Sequence, residues 1–236
     1  MALATPTATT PHHLVRKWKG NPAAHLAAIA LTVTPIATAM FRNNNPDTFL
    51  TFLGVSAAWA MWRALESGRT RFLLIAAALS GLAFDTQMLQ AFLVLPAFVI
   101  VYLVAGPPKL GTGLLQLLAS LVTLVVSGGW WIGVVALVPA ASRPFIGSTQ
   151  DNSILTLVFG YNGLDRLFGN GGGGGGRGFG GFGGFGGTPG WFRLFNSEAG
   201  GLISWLIPMA LFGLVAGLWL TRRNKRTDLD RAGWLL

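Results

Sequence analysis

Apolar and polar positions are segregated along this chain into long apolar runs separated by short polar joints. That is the pattern of helices immersed in hydrocarbon rather than of elements with one wet face. Residues 1–24 are small, polar and threonine-rich, then carry His12, His13, Arg16, Lys17 and Lys19, and read as a disordered cytoplasmic lead. Apolar runs follow at about 25–41, 48–62, 72–84, 88–105 and 114–137, which predicts five spans within residues 25–137. The first is long for a signal-peptide core and lacks a small-residue cleavage site, so it reads as a retained helix. Residues 138–200 form the longest non-hydrophobic region, a sixth span is predicted over about 201–221, and residues 222–236 read as a cytoplasmic tail or the start of a further region. The fold class predicted is therefore all-α, a polytopic transmembrane helical bundle of about six spans.

The joints carry the polar chemistry. Arg42-Asn43-Asn44-Asn45-Pro46-Asp47 separates the first two runs, and Arg63, Glu66, Arg69 and Arg71 close the second. The third run is short for roughly 30 Å of hydrocarbon at 1.5 Å per residue. It stops at Asp85-Thr86-Gln87, and Met88 begins the next run without an evident turn. A carboxylate at such a break costs a few kcal/mol unless hydrated or paired, so Asp85 and Gln87 are expected at the membrane surface or in a wet recess, Gln87 as an uncharged partner to Asp85. Trp130 and Trp131 lie near the far end of the fifth run, at the depth where indoles favour the headgroup interface.

Composition narrows the picture. Of 236 residues 52% are hydrophobic and only 11% charged, against about 25% charged in soluble domains. There are no cysteines, which excludes disulfides, thiolate metal sites and cysteine nucleophiles. The net charge of +9 would suggest nucleic acid in a soluble protein, but here it divides by topology. With both termini cytoplasmic, 12 of the 17 Lys and Arg fall inside and 5 outside. The joint from Arg42 to Asp47, Asp85 to Gln87 and the long loop then share the extracytoplasmic face of a multi-pass protein of the cell membrane. Of 33 glycines, 15 lie in the insert 169–190. That insert lacks the Gly-Lys-Ser/Thr ending of a phosphate loop, and its one arginine, Arg177, is too little for an RNA-binding tract, so it reads as a flexible connector.

Candidate chemistry lies in the extracytoplasmic joints. Asp47 fits a helix N-cap and can also line a site. Arg143, Asp151 and Tyr161, in the sequences Arg143-Pro144-Phe145-Ile146-Gly147-Ser148, Asp151-Asn152-Ser153 and Gly160-Tyr161-Asn162-Gly163, are residue types that bind sugar hydroxyls and phosphates, and that a solvated loop also contains. No histidine pair offers a metal site on that face, and no Ser-His-Asp arrangement is evident. A transporter or flippase-like protein, or a noncatalytic scaffold, has the same general composition. The transporter would call for an internal repeat or charges in mid-span, and neither is found.

Taken in order, these joints, with Gly81-Leu82-Ala83-Phe84-Asp85-Thr86-Gln87-Met88-Leu89-Gln90-Ala91 and the polyglycine insert, resemble actinobacterial membrane glycosyltransferases of the ArnT-like, protein O-mannosyltransferase superfamily (family 39), including the YkcA/YkcB-like mannosyltransferases. The resemblance covers nearly everything after about Arg16. It implies part of a glycosyltransferase C-type fold that takes sugar from a polyprenyl-phosphate donor on the extracytoplasmic face, with membrane lipid as surroundings and no nucleic-acid partner. It implies Asp47, Asp85, Gln87, Arg143, Asp151 and Tyr161 as substrate-lining residues, with Arg143 and Arg42 toward phosphate. Members place a carboxylate base in a first extracytoplasmic loop whose equivalent is not in this chain, so the catalytic residue is unassigned. The missing N-terminal half is then expected elsewhere, as a separate chain or an upstream segment. Members also carry Lys where this chain has Gln87, which cannot neutralise phosphate charge. No cofactor is evident, with a divalent metal a candidate only in the complete enzyme. The chain alone is expected to be inactive.

Overall fold

The computed structural model describes residues 4–42, 46–139, 142–147, 149, 151–164, 206–225 and 227–236. The Gly-rich insert, the rest of 165–200 and residues 201–205 lie outside the described residues. The described chain is helical and, among those residues, without strands. It divides into two units, residues 1–129 with 208–236, and residues 130–207.

In the first unit, α1 (Ala4–Val33) is two helices merged across Gly20, whose φ of 81° breaks the helical path two residues before Pro22. Such a φ suits glycine because it has no Cβ to clash. The lead expected to be disordered is thus helical from Ala4. Its second half is held by packing that composition does not reveal: Ala24 is fully buried, Lys17 pairs with Glu66, and Trp18 meets Trp234 edge-on at 4.9 Å. A short α2 (Pro35–Arg42) follows, then α3 (Pro46–Ser67), opened by Pro46 and an acidic first turn. Gly68, at φ 66°, ends α3, its N–H donating to Ala64 O at 2.9 Å. The chain reverses into α4 (Thr70–Gln87), which packs along α3.

The α4 helix has 18 residues, about 27 Å long, because it extends beyond the apolar run at both ends. After it comes a 3₁₀ segment, Met88–Val94, and α5 (Leu95–Ala105). Thr70–Ala105 is one of two helical stretches, with Leu110–Leu137, that are long and apolar enough to cross a membrane. As a straight rod its 36 residues would cover about 54 Å. Yet Tyr102 Oη donates to Gln116 Oε1 at 2.7 Å while Gln116 Nε2 donates to Thr70 Oγ1 at 2.8 Å. Leu73 also shares a core with Phe98, Val101 and Tyr102. The end of α5 is therefore back beside the start of α4, and the chain turns around in the 3₁₀ segment, where Met88 has a φ of 49° and Phe84 stacks on Phe92. The third and fourth apolar runs are thus two antiparallel legs. The apolar α7 (Leu206–Leu220) has 15 residues, and length and composition alone do not establish six spans.

The core is built on small residues. Ala57, Ala60, Met61, Ala64 and Leu65 of α3 meet Leu73 and Ala76 of α4 and the inner face of α5. Small side chains let helix backbones approach closely, which is how helices gain contact where surrounding lipid is as apolar as they are. The α6 helix (Leu110–Leu137) meets α4 at Gly81 and Gly128, where a Cβ on Gly81 would lie 2.7 Å from Leu124 O and 2.9 Å from Gly128 N. Buried hydroxyls bond to carbonyls one turn back, Ser80 to Ala76 and Ser120 to Gln116. The final helix, α8 (Leu229–Leu235), is capped by Asp228, which accepts from Arg231 N, and lies against α1, α3 and α5.

Candidate functional site

The α3–α4 hairpin places Asp47 and Gln87 together. From the reversal at Gly68, Asp47 lies back at the start of α3 and Gln87 forward at the end of α4, so the two come to the same level. Gln87 Nε2 donates to Asp47 Oδ1 at 2.6 Å, a half-buried contact between residues 40 apart. Thr51 Oγ1 donates to the Asp47 carbonyl at 2.8 Å and ties the first turn of α3. The helix dipole there favours a negative side chain. Gln87, expected as an uncharged partner to Asp85, is thus a donor to Asp47. At about 100° per residue, positions 85 and 87 lie about 200° apart around α4, so one faces α3 while Asp85 is exposed. Arg42 ends α2 with its side chain exposed, its charge suited to a helix C-terminus.

The second unit holds the other candidates. Arg143 Nη1 donates to Asn152 O at 2.9 Å, while Nη2 donates to Val138 O at 2.6 Å and Ala136 O at 3.3 Å. The guanidinium therefore ties the loop to carbonyls at and just past the end of α6, and its Nε is buried without a partner among the described residues. Asn152, at φ 51°, accepts Ile146 N on its Oδ1 at 2.6 Å. Asp151 accepts Thr156 Oγ1 at 2.7 Å and Ser153 N at 3.2 Å. Those hydrogen bonds, the Thr156 one foremost, hold the Asp151 carboxyl below the usual aspartate value against a smaller opposing effect of desolvation. Tyr161 lies in a π-helical turn, Thr156–Leu164, and its side chain is outside the described residues.

Two features escaped the sequence. The first is the Asp47–Gln87 contact, whose only signal is the near-equal length of the two legs. The second is a histidine grouping on α1, with the His12 and His25 rings 5.0 Å apart. Among the described residues no group of three or more His, Asp or Glu side chains is arranged so that it could hold a metal ion.

The family described as dolichyl-phosphate-mannose-protein mannosyltransferase matches residues 7–132, more than half of the chain. The chain belongs to this family. Arg42, Asp47, Asp85 and Gln87 lie inside the matched region; Arg143, Asp151 and Tyr161 lie beyond it. Two Bacillus subtilis (strain 168) proteins are similar: "Putative mannosyltransferase YycA", 44% identical over 158 residues, and "Putative mannosyltransferase YkcB", 40% identical over 156. These alignments cover 67% and 66% of this chain but 23% and 22% of the relatives, so the chain spans less than a quarter of their length. No solved structure matches.

Proposed function

We propose that this chain forms part of a membrane glycosyltransferase of about six spans here, which takes a sugar, mannose or a similar hexose, from a polyprenyl-phosphate donor on the extracytoplasmic face. The observation that carries the proposal is the Asp47–Gln87 contact, which joins two polar groups from separate helices within the family-matched region. The orientation rests on charge: Arg63, Arg69, Arg71 and Lys109, on α3, on α4 and at the bends before α4 and α6, lie toward the other end of the first unit, which favours the cytoplasm for that end.

In this reading Asp47 accepts hydrogen bonds from sugar hydroxyls, and Gln87 holds its carboxylate in position and offers neutral polarity toward the phosphate. Transfer also needs a base for the acceptor and positive charge at the departing phosphate. Arg42 is the candidate for the charge, and the base lies outside the assigned residues. A metal is not built into any step.

The test is binding of polyprenyl-phosphate mannose and of bare polyprenyl phosphate to the purified chain in detergent. Asp47→Ala is expected to weaken the sugar-bearing ligand about tenfold, the range of a charged hydrogen bond, and to leave the bare phosphate unweakened. Gln87→Lys is expected to strengthen both about fivefold by adding a cation near phosphate. Equal affinities of wild type and both variants for both ligands would remove the pair from the donor site.

A further inference from the structure

Between α4, α5 and α6 runs an apolar groove of about 500 Å³, within the roughly 300–1,000 Å³ of ligand sites. Leu73, Ala77, Phe98, Leu117 and Leu124 line its floor, and Leu121 of α6, 55% exposed, stands at its open side. Its two hydroxyls, Ser80 and Ser120, donate their protons to helix carbonyls, so neither is left as a donor to a sugar or peptide. An extended hydrocarbon chain is the occupant whose chemistry it matches.

One end of the groove meets a set of cations. Along the helix axis Leu73 lies about 3 Å from the level of Arg71, whose guanidinium sits over the Phe72 ring at 4.8 Å, and Leu114 follows Lys109 by five residues. Gly68, at the bend before α4, is next to Pro107, at the bend before α6, with a Cβ on Gly68 placed 3.5 Å from Pro107 Cβ, so Arg69, Arg71 and Lys109 share one end of the first unit. All three are exposed, and none has a carboxylate partner among the described residues. The neighbouring acids are engaged: Glu66 by Arg63 at 2.7 Å and Lys17 at 4.0 Å, and Asp230 by Lys19 at 3.0 Å. A monovalent anionic headgroup complements this rim, and an attached acyl chain reaches the groove.

We propose that this end of the helices holds an anionic glycerophospholipid, with its phosphate at Arg71 and Lys109 and one acyl chain in the α4–α5–α6 groove. The site lies at the end of the α3–α4 hairpin opposite Asp47 and Gln87, so it is separate from the proposed donor site and does not depend on it.

Native mass spectrometry of the full chain in detergent, offered dioleoyl phosphatidylglycerol or dioleoyl phosphatidylcholine, tests the proposal. Phosphatidylglycerol should be retained in preference to phosphatidylcholine. R71E with K109E should reduce that retention by roughly 30-fold or more, as expected for two cations near a headgroup. Leu121→Trp, which crowds the groove from its exposed side, should lower retention of both lipids, with helicity by circular dichroism unchanged as a control. Equal retention of the two lipids by wild type, undiminished phosphatidylglycerol binding by the charge variant, or displacement of phosphatidylglycerol by equimolar polyprenyl phosphate would overturn it.

Discussion

A neutral carboxamide that donates to a carboxylate, as Gln87 does to Asp47, fixes the acid's position and leaves its charge in place. Asp47, Asp85 and Gln87 were legible in the sequence as polar residues at the ends of apolar runs. Which of them touch was not, because that depends on helical phase and on the depth match of two antiparallel helices. The loop residues behave differently. Arg143 was legible as a phosphate-binding type, and its guanidinium also reaches three backbone carbonyls, a use that residue type alone cannot reveal. Asp151 gives a pH prediction. Its folded pKa is depressed, so its stabilising contribution is fully present above the unfolded value of about 3.9 and is lost as pH falls through the lower folded value. The chain has no cysteine, so a nitroxide on Gly147→Cys reports on this loop alone. Its spectrum should sharpen as pH falls through that acidic window, and Asp151→Asn should give the mobile spectrum at neutral pH; identical spectra throughout would show that the Asp151 contacts do not order the loop.

At the scale of elements, breaks were read more reliably than packing. Arg63, Glu66, Arg69 and Arg71 mark the end of α3, and Asp85 to Gln87 mark the end of α4, because polar side chains interrupt the hydrophobic pattern there. The reversal through Met88–Val94 carries no Gly, Pro or Asn to announce it, and only the contacts of Tyr102 and Leu73 reveal it. Helicity in the lead was missed for a related reason, since Thr and Pro lower intrinsic propensity while burial of Ala24 and the Trp18 contact act against that bias. Glycines of α3 and α4 separate local from packing effects. Gly81→Ala should cost about 1–3 kcal/mol because its Cβ meets the α6 backbone. Gly54→Ala, with nothing within 4 Å of the added carbon, should stabilise by about 0.5–1 kcal/mol through helix propensity. Thermal unfolding in detergent should move in opposite directions for the two; equal shifts would contradict the close crossing at Gly81 and Gly128.

At the scale of the molecule, a chain of a mannosyltransferase family that is helical and without strands among its described residues presents different chemistry at the two ends of its first unit. The α3 start and α4 end carry Asp47 and Gln87, and the opposite end of the first unit carries Arg63, Arg69, Arg71 and, at the bend before α6, Lys109. Charge counting made that polarity legible in the sequence, because Lys and Arg follow the membrane face rather than the fold. The central claim is that the acidic end meets the lipid-linked sugar. Its most direct test is a polyprenyl-phosphate mannose carrying a photoactivatable group on the sugar, cross-linked to the full chain and mapped by mass spectrometry. Label should concentrate on the peptides that contain Asp47 and Gln87 and should fall when unlabelled donor competes. Competed label on the peptides around Arg69 and Lys109, with none at Asp47 or Gln87, would contradict the account.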